Sequence, residues 1–223
     1  MYQNIIIVSG GCAVDPAFFI QQIEKTKNRL IICCDGGARH FRKLQIKPDV
    51  IIGDMDSIDS AQLAKCSRQQ IEIIRYSANK DFTDTELAID YAMKLKPQKI
   101  LIWCALGGRI DHTLANVFLL LKGQERGIEM FLMDEYCEAF IPDKEHFFNK
   151  EKGETVSLLP LTPEVTGITL SGFIYPLQNG TLKMGESRGI SNIINQAQAV
   201  IKIKKGKLLV IKYHRKDFFP EAR

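Results

Sequence analysis

Four hydrophobic runs in the first half of the chain are each followed by a short acidic, often glycine-rich motif, and this recurrence constrains the fold more than any other feature. Leu30–Cys34 runs into Asp35-Gly36-Gly37-Ala38, and Val50–Ile52 into Gly53-Asp54-Met55-Asp56-Ser57. Ile71–Tyr76 precedes Asp81-Phe82-Thr83-Asp84, and Ile100–Cys104 precedes Gly107-Gly108-Arg109-Ile110-Asp111-His112. In an open α/β sheet the carboxyl ends of the strands form the ligand crevice. Acids repeated at those ends would converge in space although they are far apart in sequence. Two carboxylates about 4 Å apart repel by about 4 kcal/mol at an effective dielectric of about 20. A hard divalent cation with oxygen ligands would offset that repulsion.

The first ~130 residues alternate strand and helix signals. Asn4–Ser9 is a β-branched run, and Asp15-Pro16 supplies a cap and a first-turn proline for a helix to about Lys27. Thr83-Asp84-Thr85-Glu86 is a capping box opening a helix with Leu87, Ala88, Tyr91, Ala92 and Leu95 on one face. Glu129–Met133 reads as a further strand. This alternation predicts a mainly parallel sheet with helices on both faces. From about Asp134 helix signals nearly vanish. Thr155–Leu159, Val165–Leu170, Tyr175–Leu177, Ala199–Lys204 and Lys207–Tyr213 are short and strand-like, and Lys205-Gly206 reads as a hairpin turn. The expectation is an α/β N-terminal domain over residues 1–133 and an all-β sandwich over residues 134–223.

The basic residues are dispersed. The densest patch, Lys202 to Lys207, alternates with apolar residues as the wet face of a hairpin would, and no stacking motif accompanies it, so nucleic-acid binding is not expected. None of the six cysteines forms a C-x-x-C pair, and several lie in apolar runs, as free thiols in a reducing compartment do. No apolar run reaches about 18 residues, and the N-terminus enters a strand almost at once. Neither a membrane span nor a signal peptide is expected, and the location should be cytoplasmic.

Each motif has a functional and a structural reading. Asp54 and Asp56, two apart in an extended segment, would point the same way as a chelating pair does; alternatively each bonds its own turn. Asp84 and Asp81 flank a helix start, where an acid also serves the helix dipole. Thr83 already provides the cap, which leaves Asp84 for a metal or phosphate. Gly107-Gly108 permits close backbone approach, and the Arg109 fork could hold a phosphate. Asp111 could be a helix cap, His112 a surface residue, and Asp35-Gly36-Gly37 a plain tight turn. Gly185-Glu186-Ser187-Arg188-Gly189-Ile190-Ser191-Asn192 is a connecting or a ligand-recognition loop. There is no G-x-x-x-x-G-K-[ST] and no G-x-G-x-x-G, so phosphates would fall to metal ions with Arg109 or Lys80.

Together these motifs, in this order and spacing, resemble bacterial thiamine pyrophosphokinases over most of the chain. The resemblance implies an N-terminal α/β domain, a C-terminal β-sandwich and a homodimer. It implies transfer of pyrophosphate from ATP to thiamine, giving thiamine diphosphate and AMP. It puts Mg²⁺ on Asp54, Asp56 and Asp84, with Asp81 close by. Asp35, Gly36, Gly37, Lys80, Gly108, Arg109, Asp111 and His112 fall to nucleotide and phosphate, and Ser187, Arg188, Ser191 and Asn192 to thiamine. Asp81 or Asp56 would accept the hydroxyl proton. The late aromatic that eukaryotic members stack on thiamine has no clear match. From the residues alone, a metal-dependent phosphohydrolase and a non-catalytic nucleotide or thiamine diphosphate sensor also stand.

Overall fold

The computed structural model describes residues 2–12, 15–40, 47–58, 66–77 and 81–214. The chain divides into two compact units, Met1–Glu135 and Tyr136–Arg223.

The first unit is built on β1 (Asn4–Val8), β2 (Arg29–Cys34), β3 (Val50–Gly53), β4 (Glu72–Arg75), β5 (Lys99–Trp103) and β6 (Glu129–Met133). They form a sheet in the order β6-β5-β1-β2-β3-β4, and every neighbouring pair is parallel. The inner strands read as continuous Ile/Leu/Val/Cys runs because both faces are covered. Ile6, Val8, Ile31, Cys33, Ile51, Leu101 and Trp103 alternate onto one face, where Phe19 of α1 (Pro16–Lys25) meets Trp103 at 5.1 Å between ring centres. Asp15 caps α1 by accepting from the Ala17 and Phe18 N–H groups.

α2 (Asp84–Lys94) buries Leu87, Ala88, Ile89, Ala92 and Met93 and packs on β1, β2 and β3. Thr83 accepts from the Glu86 N–H at 3.2 Å, as the capping box requires. The Glu86 carboxylate, though, turns to Lys122 of α3 (Ile110–Glu125) at 2.7 Å and so ties the two helices. Strand order runs outward from β1 through β4 on one side and from β1 to β5 and β6 on the other. The order therefore reverses between β1 and β5, which is where ligands bind in sheets of this kind.

The second unit contains two antiparallel four-strand arrays. One has the order β12-β9-β14-β7, made of Asn192–Ile193, Thr155–Pro160, Leu208–Tyr213 and Cys137–Phe140. The other is β11-β10-β13-β8, made of Leu177–Lys183, Glu164–Ser171, Gln198–Lys202 and Glu145–Asn149. Phe140, His146, Phe148 and Phe173 link the arrays through ring contacts of 4.5 to 5.8 Å. The expected fold class holds.

The hairpin at Lys205-Gly206 does not form. β13 pairs with β10 and β8, whereas β14 pairs with β7 and β9, so the turn carries the chain from one array to the other. Two adjacent alternating strands look alike whether they pair with each other or with distant partners, and here the distant partners win. Lys202, Lys204 and Lys205 remain exposed as expected. On β14, Lys212 is buried among Glu151, Glu138 and Glu154 at 2.8, 3.1 and 3.4 Å. Burial alone would lower its pKa, but the carboxylates hold the ammonium above the usual lysine range.

Close packing after β2 leaves Gly36 and Gly37 with different freedom. A Cβ on Gly37 would lie 2.4 Å from the Val8 carbonyl oxygen and 2.9 Å from the Cys33 sulfur, whereas one on Gly36 would meet only the Gly10 Cα, at 3.4 Å. Gly37→Ala should therefore destabilise the protein by about 1–3 kcal/mol, and Gly36→Ala by less than about 1 kcal/mol. Urea denaturation of the two variants checks this, and equal midpoints would refute it.

Candidate functional site

A cleft of about 460 Å³ opens at the β1/β5 reversal. Its walls come from Ser9-Gly10-Gly11-Cys12 after β1 and from Cys104, Ala105, Gly107, Gly108 and Arg109 after β5, with Cys34, Gly36, Arg39, Ser57, Thr83, Asp84, Thr85, His112 and Asn116. Glycine lets the strand-exit loops approach. A Cβ on Gly10 would sit 3.3 Å from the Gly36 backbone, and one on Gly11 would overlap the Cys104 carbonyl oxygen. The Arg39 guanidinium reaches back to the carbonyls of Gly10 and Gly11, and His40 Nε2 lies 2.8 Å from the Gly11 oxygen, a carbonyl to which it donates. The turn into α3 needs Gly107 and Gly108 in succession at φ 76° and 74°.

Next to the wall residues Ser57 and Asp84, the side chains of Asp35, Asp54 and Asp56 bring carboxylate oxygens within 4.8 Å of one another. The segment around Asp54 is not the extended stretch that the sequence suggested. Met55 takes a left-handed φ of 69° and buries its side chain in the core, so the flanking aspartates are turned out together by a bend. The Ser57 N–H donates to Asp35 Oδ2 at 3.1 Å, and the Ser57 hydroxyl to Asp56 Oδ1 at 2.9 Å. Asp35 itself is buried, and its Oδ1 accepts no hydrogen bond from the described residues. Burial pushes its pKa up to about 6, against the Ser57 N–H, with Asp54 and Asp56 adding to the rise.

Asp84, at the first position of α2, is next to this triad rather than within it. A Cβ on Gly53 would lie 2.5 Å from Asp35 Cβ and 3.2 Å from Asp84 Oδ2, so a glycine there is what allows both acids to approach. The triad that forms thus contains Asp35 where the sequence reading had Asp84. Asp81 is exposed in the turn before α2 and is not part of the cleft wall. Lys80 lies outside the described residues.

Arg109, rather than Asp111, occupies the cap position of α3, and its side chain makes no cap bond. Its fork is engaged by Asp111 instead, with Nε 3.1 Å from Oδ1 and Nη2 2.5 Å from Oδ2. That pairing brings the Asp111 pKa down to about 2. Both side chains are exposed, so the pair is a weak tie that another anion can replace. His112 is exposed on the cleft wall.

In the second unit, Arg188, Gly189, Ile190 and Asn192 line a pocket of about 210 Å³ with Tyr175 and the leucines Leu158, Leu170, Leu177 and Leu182. Ser187 is exposed and outside that lining, and Ser191 is held at φ 60° by its N–H on the Ser157 hydroxyl at 3.0 Å. Asn192 is buried and already committed. Its Oδ1 accepts from the Tyr175 N–H at 3.0 Å and its Nδ2 donates to the Tyr175 carbonyl at 2.8 Å. Tyr175 itself is exposed at the pocket rim.

Ser9-Gly10-Gly11, Arg39, Thr85, Asn116 and Tyr175 were not anticipated. A glycine pair after the first strand, matching Gly36-Gly37 and Gly107-Gly108, was the available signal for the first of these.

Two family models match the chain: "Thiamin pyrophosphokinase, catalytic domain" over residues 22–132 and "Thiamin pyrophosphokinase, vitamin B1 binding domain" over residues 143–208. Thiamine pyrophosphokinase of Bacillus subtilis is 31% identical over 214 residues, spanning 94% of this chain and 98% of that protein. Its crystal structure superposes with a TM-score of 0.84, at 29% identity over 94% and 98% of the two chains. The enzyme from Geobacillus thermodenitrificans gives a TM-score of 0.80 at 25% identity, over 97% and 100%.

The raised pKa of Asp35 fixes a sign. The folded state holds the proton up to about pH 6, the unfolded state only to about pH 4, so the carboxyl stabilises the fold below pH 4 relative to its effect at neutral pH. In chelator-treated protein, Asp35→Asn should add about 2 kcal/mol of stability at pH 7.5, and the gain should fade as pH drops from 6 to 4. Urea titrations across that range test it; a destabilised variant, or a pH-independent difference, would reject the assignment.

Proposed function

Because the chain belongs to the thiamine pyrophosphokinase family, we propose that nucleotide and catalytic metal meet at the β1/β5 cleft of the first unit, and that thiamine is received by the second. The protein is an enzyme with ATP as co-substrate and thiamine as acceptor. The reaction moves the β- and γ-phosphates together onto a primary alcohol and releases AMP. Residues 1–133 are the nucleotide and catalytic part in this reading, and residues 134–223 the thiamine-binding and dimerisation part.

The observation that carries the site assignment is the carboxylate triad with the unpartnered, buried Oδ1 of Asp35. That donor set fits a hard divalent cation, which prefers carboxylate oxygens. Asp35, Asp54 and Asp56 would hold Mg²⁺, with Asp84 reaching in beside Gly53. When bound there, Mg²⁺ supplies positive charge to the triphosphate oxygens. Arg109 would exchange Asp111 for phosphate oxygens and fix them bidentately, with Lys80 assisting. Gly36 and Gly108 would let the phosphates approach the backbone, Gly37 would keep that turn packed against β1, and the His112 side chain would lie beside the phosphates. Asp56, exposed and with Oδ1 taken by Ser57, would accept the thiamine hydroxyl proton on Oδ2. Asp81, exposed before α2, is the other candidate for that role.

In the second unit, Tyr175 at the rim of a leucine-lined pocket supplies the aromatic surface that the sequence did not reveal. Asn192 would act by holding the Tyr175 backbone, and Ser187, Arg188 and Ser191 by completing the rim. A homodimer is supported by exposed apolar residues: Ile110, Leu114 and Phe118 at helical spacing on α3, and Ile174, Tyr175, Met184 and Ile190 in the second unit. A cytoplasmic location is supported by six free cysteines, five of them buried. No helix among the described residues is long and apolar enough to cross a membrane.

With pure protein, ATP, thiamine and Mg²⁺, AMP and thiamine diphosphate should appear in equal amounts and need all three additions. Asp54→Asn should lower kcat about a hundredfold or more and demand higher Mg²⁺. Wild-type turnover of that variant at low Mg²⁺ would overturn the metal assignment. Phosphate release independent of thiamine would favour a hydrolase, and binding without turnover a sensor. Tyr175→Ala should raise the thiamine KM about tenfold and leave the ATP KM unchanged; the reverse pattern would move thiamine to another site.

A further inference from the structure

Asp84 gives the cleft an acidic wall residue, but the cleft also contains a neutral polar group of a different kind. Asn116, in the second turn of α3, is 6% exposed and forms part of the cleft wall. Its Nδ2 donates to the Ala105 carbonyl at 2.8 Å. That bond fixes which way the amide faces, because the flipped amide would set oxygen against oxygen. Oδ1 accepts nothing from the described residues, yet it is not among the sealed, unpartnered polar atoms. It is therefore a rigid acceptor open to the cleft.

In the same cleft the hydroxyls of Ser9 and Thr85 lie 2.6 Å apart, each 6% exposed. One proton occupies the bond between them. The other hydroxyl proton has no partner among the described residues and is a spare donor. Among the described residues the cations of the cleft wall are already engaged, Arg39 by the Gly10 and Gly11 carbonyls and the Arg109 fork by Asp111, and Cys104 and Ala105 are buried and uncharged. A fixed neutral acceptor beside a spare donor suits an uncharged heterocycle rather than a phosphate, whose oxygens would face the acceptor.

We propose that Asn116 determines which nucleotide base the enzyme accepts, its Oδ1 taking a hydrogen bond from the exocyclic amine of adenine or cytosine. Guanine and uracil present a carbonyl oxygen at the corresponding position. That oxygen would face the Asn116 acceptor and leave it unpaired, the arrangement by which sites built for an N–H reject its isostere. A ribose hydroxyl is the other donor that a nucleotide could offer to the same atom, and the two sources make different predictions. The inference rests on the proposed placement of ATP in this cleft.

The test is a comparison of kcat/KM on the full-length wild-type enzyme with thiamine and Mg²⁺ saturating. The nucleotides are ATP, inosine triphosphate (a carbonyl in place of the amine) and 2′-deoxyATP. ATP should exceed inosine triphosphate by at least about tenfold and equal 2′-deoxyATP within about twofold. Asn116→Ala should bring the ATP to inosine triphosphate ratio towards one, and leave the thiamine KM unchanged. Equal turnover of ATP and inosine triphosphate by the wild-type enzyme would overturn this inference and leave the proposed function standing. Loss confined to 2′-deoxyATP would overturn it in favour of the ribose hydroxyl. No turnover with ATP at all would remove the proposed function, and this inference with it. The wild-type arms need no substitution, so a variant that fails to fold does not spare the proposal.

Discussion

Mutual repulsion among Asp35, Asp54 and Asp56 is the constraint around which the first unit is organised. Their oxygens lie within 4.8 Å of one another, and Asp35 is buried. At such separations each charged pair opposes the fold by several kcal/mol at an effective dielectric of about 20. The chain could relieve this by letting the Asp54–Ser57 bend swing outward. It is prevented by Met55, whose side chain is packed in the core, and by the Ser57 N–H that holds Asp35. Gly53 completes the arrangement, since any side chain there would push Asp35 and Asp84 apart. A site that keeps like charges this close is less stable than it could be, and it is pre-organised for a cation.

Parts of this were open to a reader of the sequence because they follow from local chemistry. The strand runs of the first unit are long, apolar and β-branched, and the motifs after them stand out by their Asp and Gly content. What the sequence could not supply was strand order. The approach of β1 to β5 brings Ser9, Gly10 and Gly11 to the cleft, and the signal at those residues is only a glycine pair. Asp35 and Asp84 changed places relative to the triad for a similar reason. The contact across Gly53 depends on how β2, β3 and α2 stack, which no spacing rule encodes. In the second unit β7 and β8 escaped notice because Cys137–Phe140 and Glu145–Asn149 mix acidic and aromatic residues without clean alternation. The missing hairpin at Lys205-Gly206 has the same origin, since local alternation names a strand but not its partner.

The cleft also separates two kinds of polar chemistry by how tightly each is held. Asp35 and Asn116 are buried and rigid, the first by the Ser57 N–H and the second by the Ala105 carbonyl. Arg109 and Asp111 are exposed and paired with each other. Rigid groups discriminate, because a poorly matched ligand leaves them unpaired in a low-dielectric setting. Exposed ion pairs exchange partners at little expense, which suits a fork that must grasp and then release a charged group. This division matches the roles proposed above, selectivity for Asn116 and capture for Arg109.

Backbone strain follows the same division. Eight non-glycine residues among those described have positive φ. Asn28, Gln70, Lys96 and Lys150 are exposed residues between elements, and Asn179 is an exposed residue of β11 where its pairing with β10 is irregular; for an Asn or an exposed loop residue a left-handed conformation is ordinary. Met55, Cys104 and Ser191 are different: the first two are buried, and all three adjoin a proposed site. Each carries about 1–3 kcal/mol of backbone strain that the surroundings must offset. Met55 and Cys104 are held by core packing, in the unit whose sheet has two covered faces. Ser191 is held by its bond to Ser157, and its neighbour Asn192 is locked to the Tyr175 backbone. The α/β unit therefore anchors its site by burying side chains, whereas the β unit, with a smaller interior, relies on hydrogen bonds between loops.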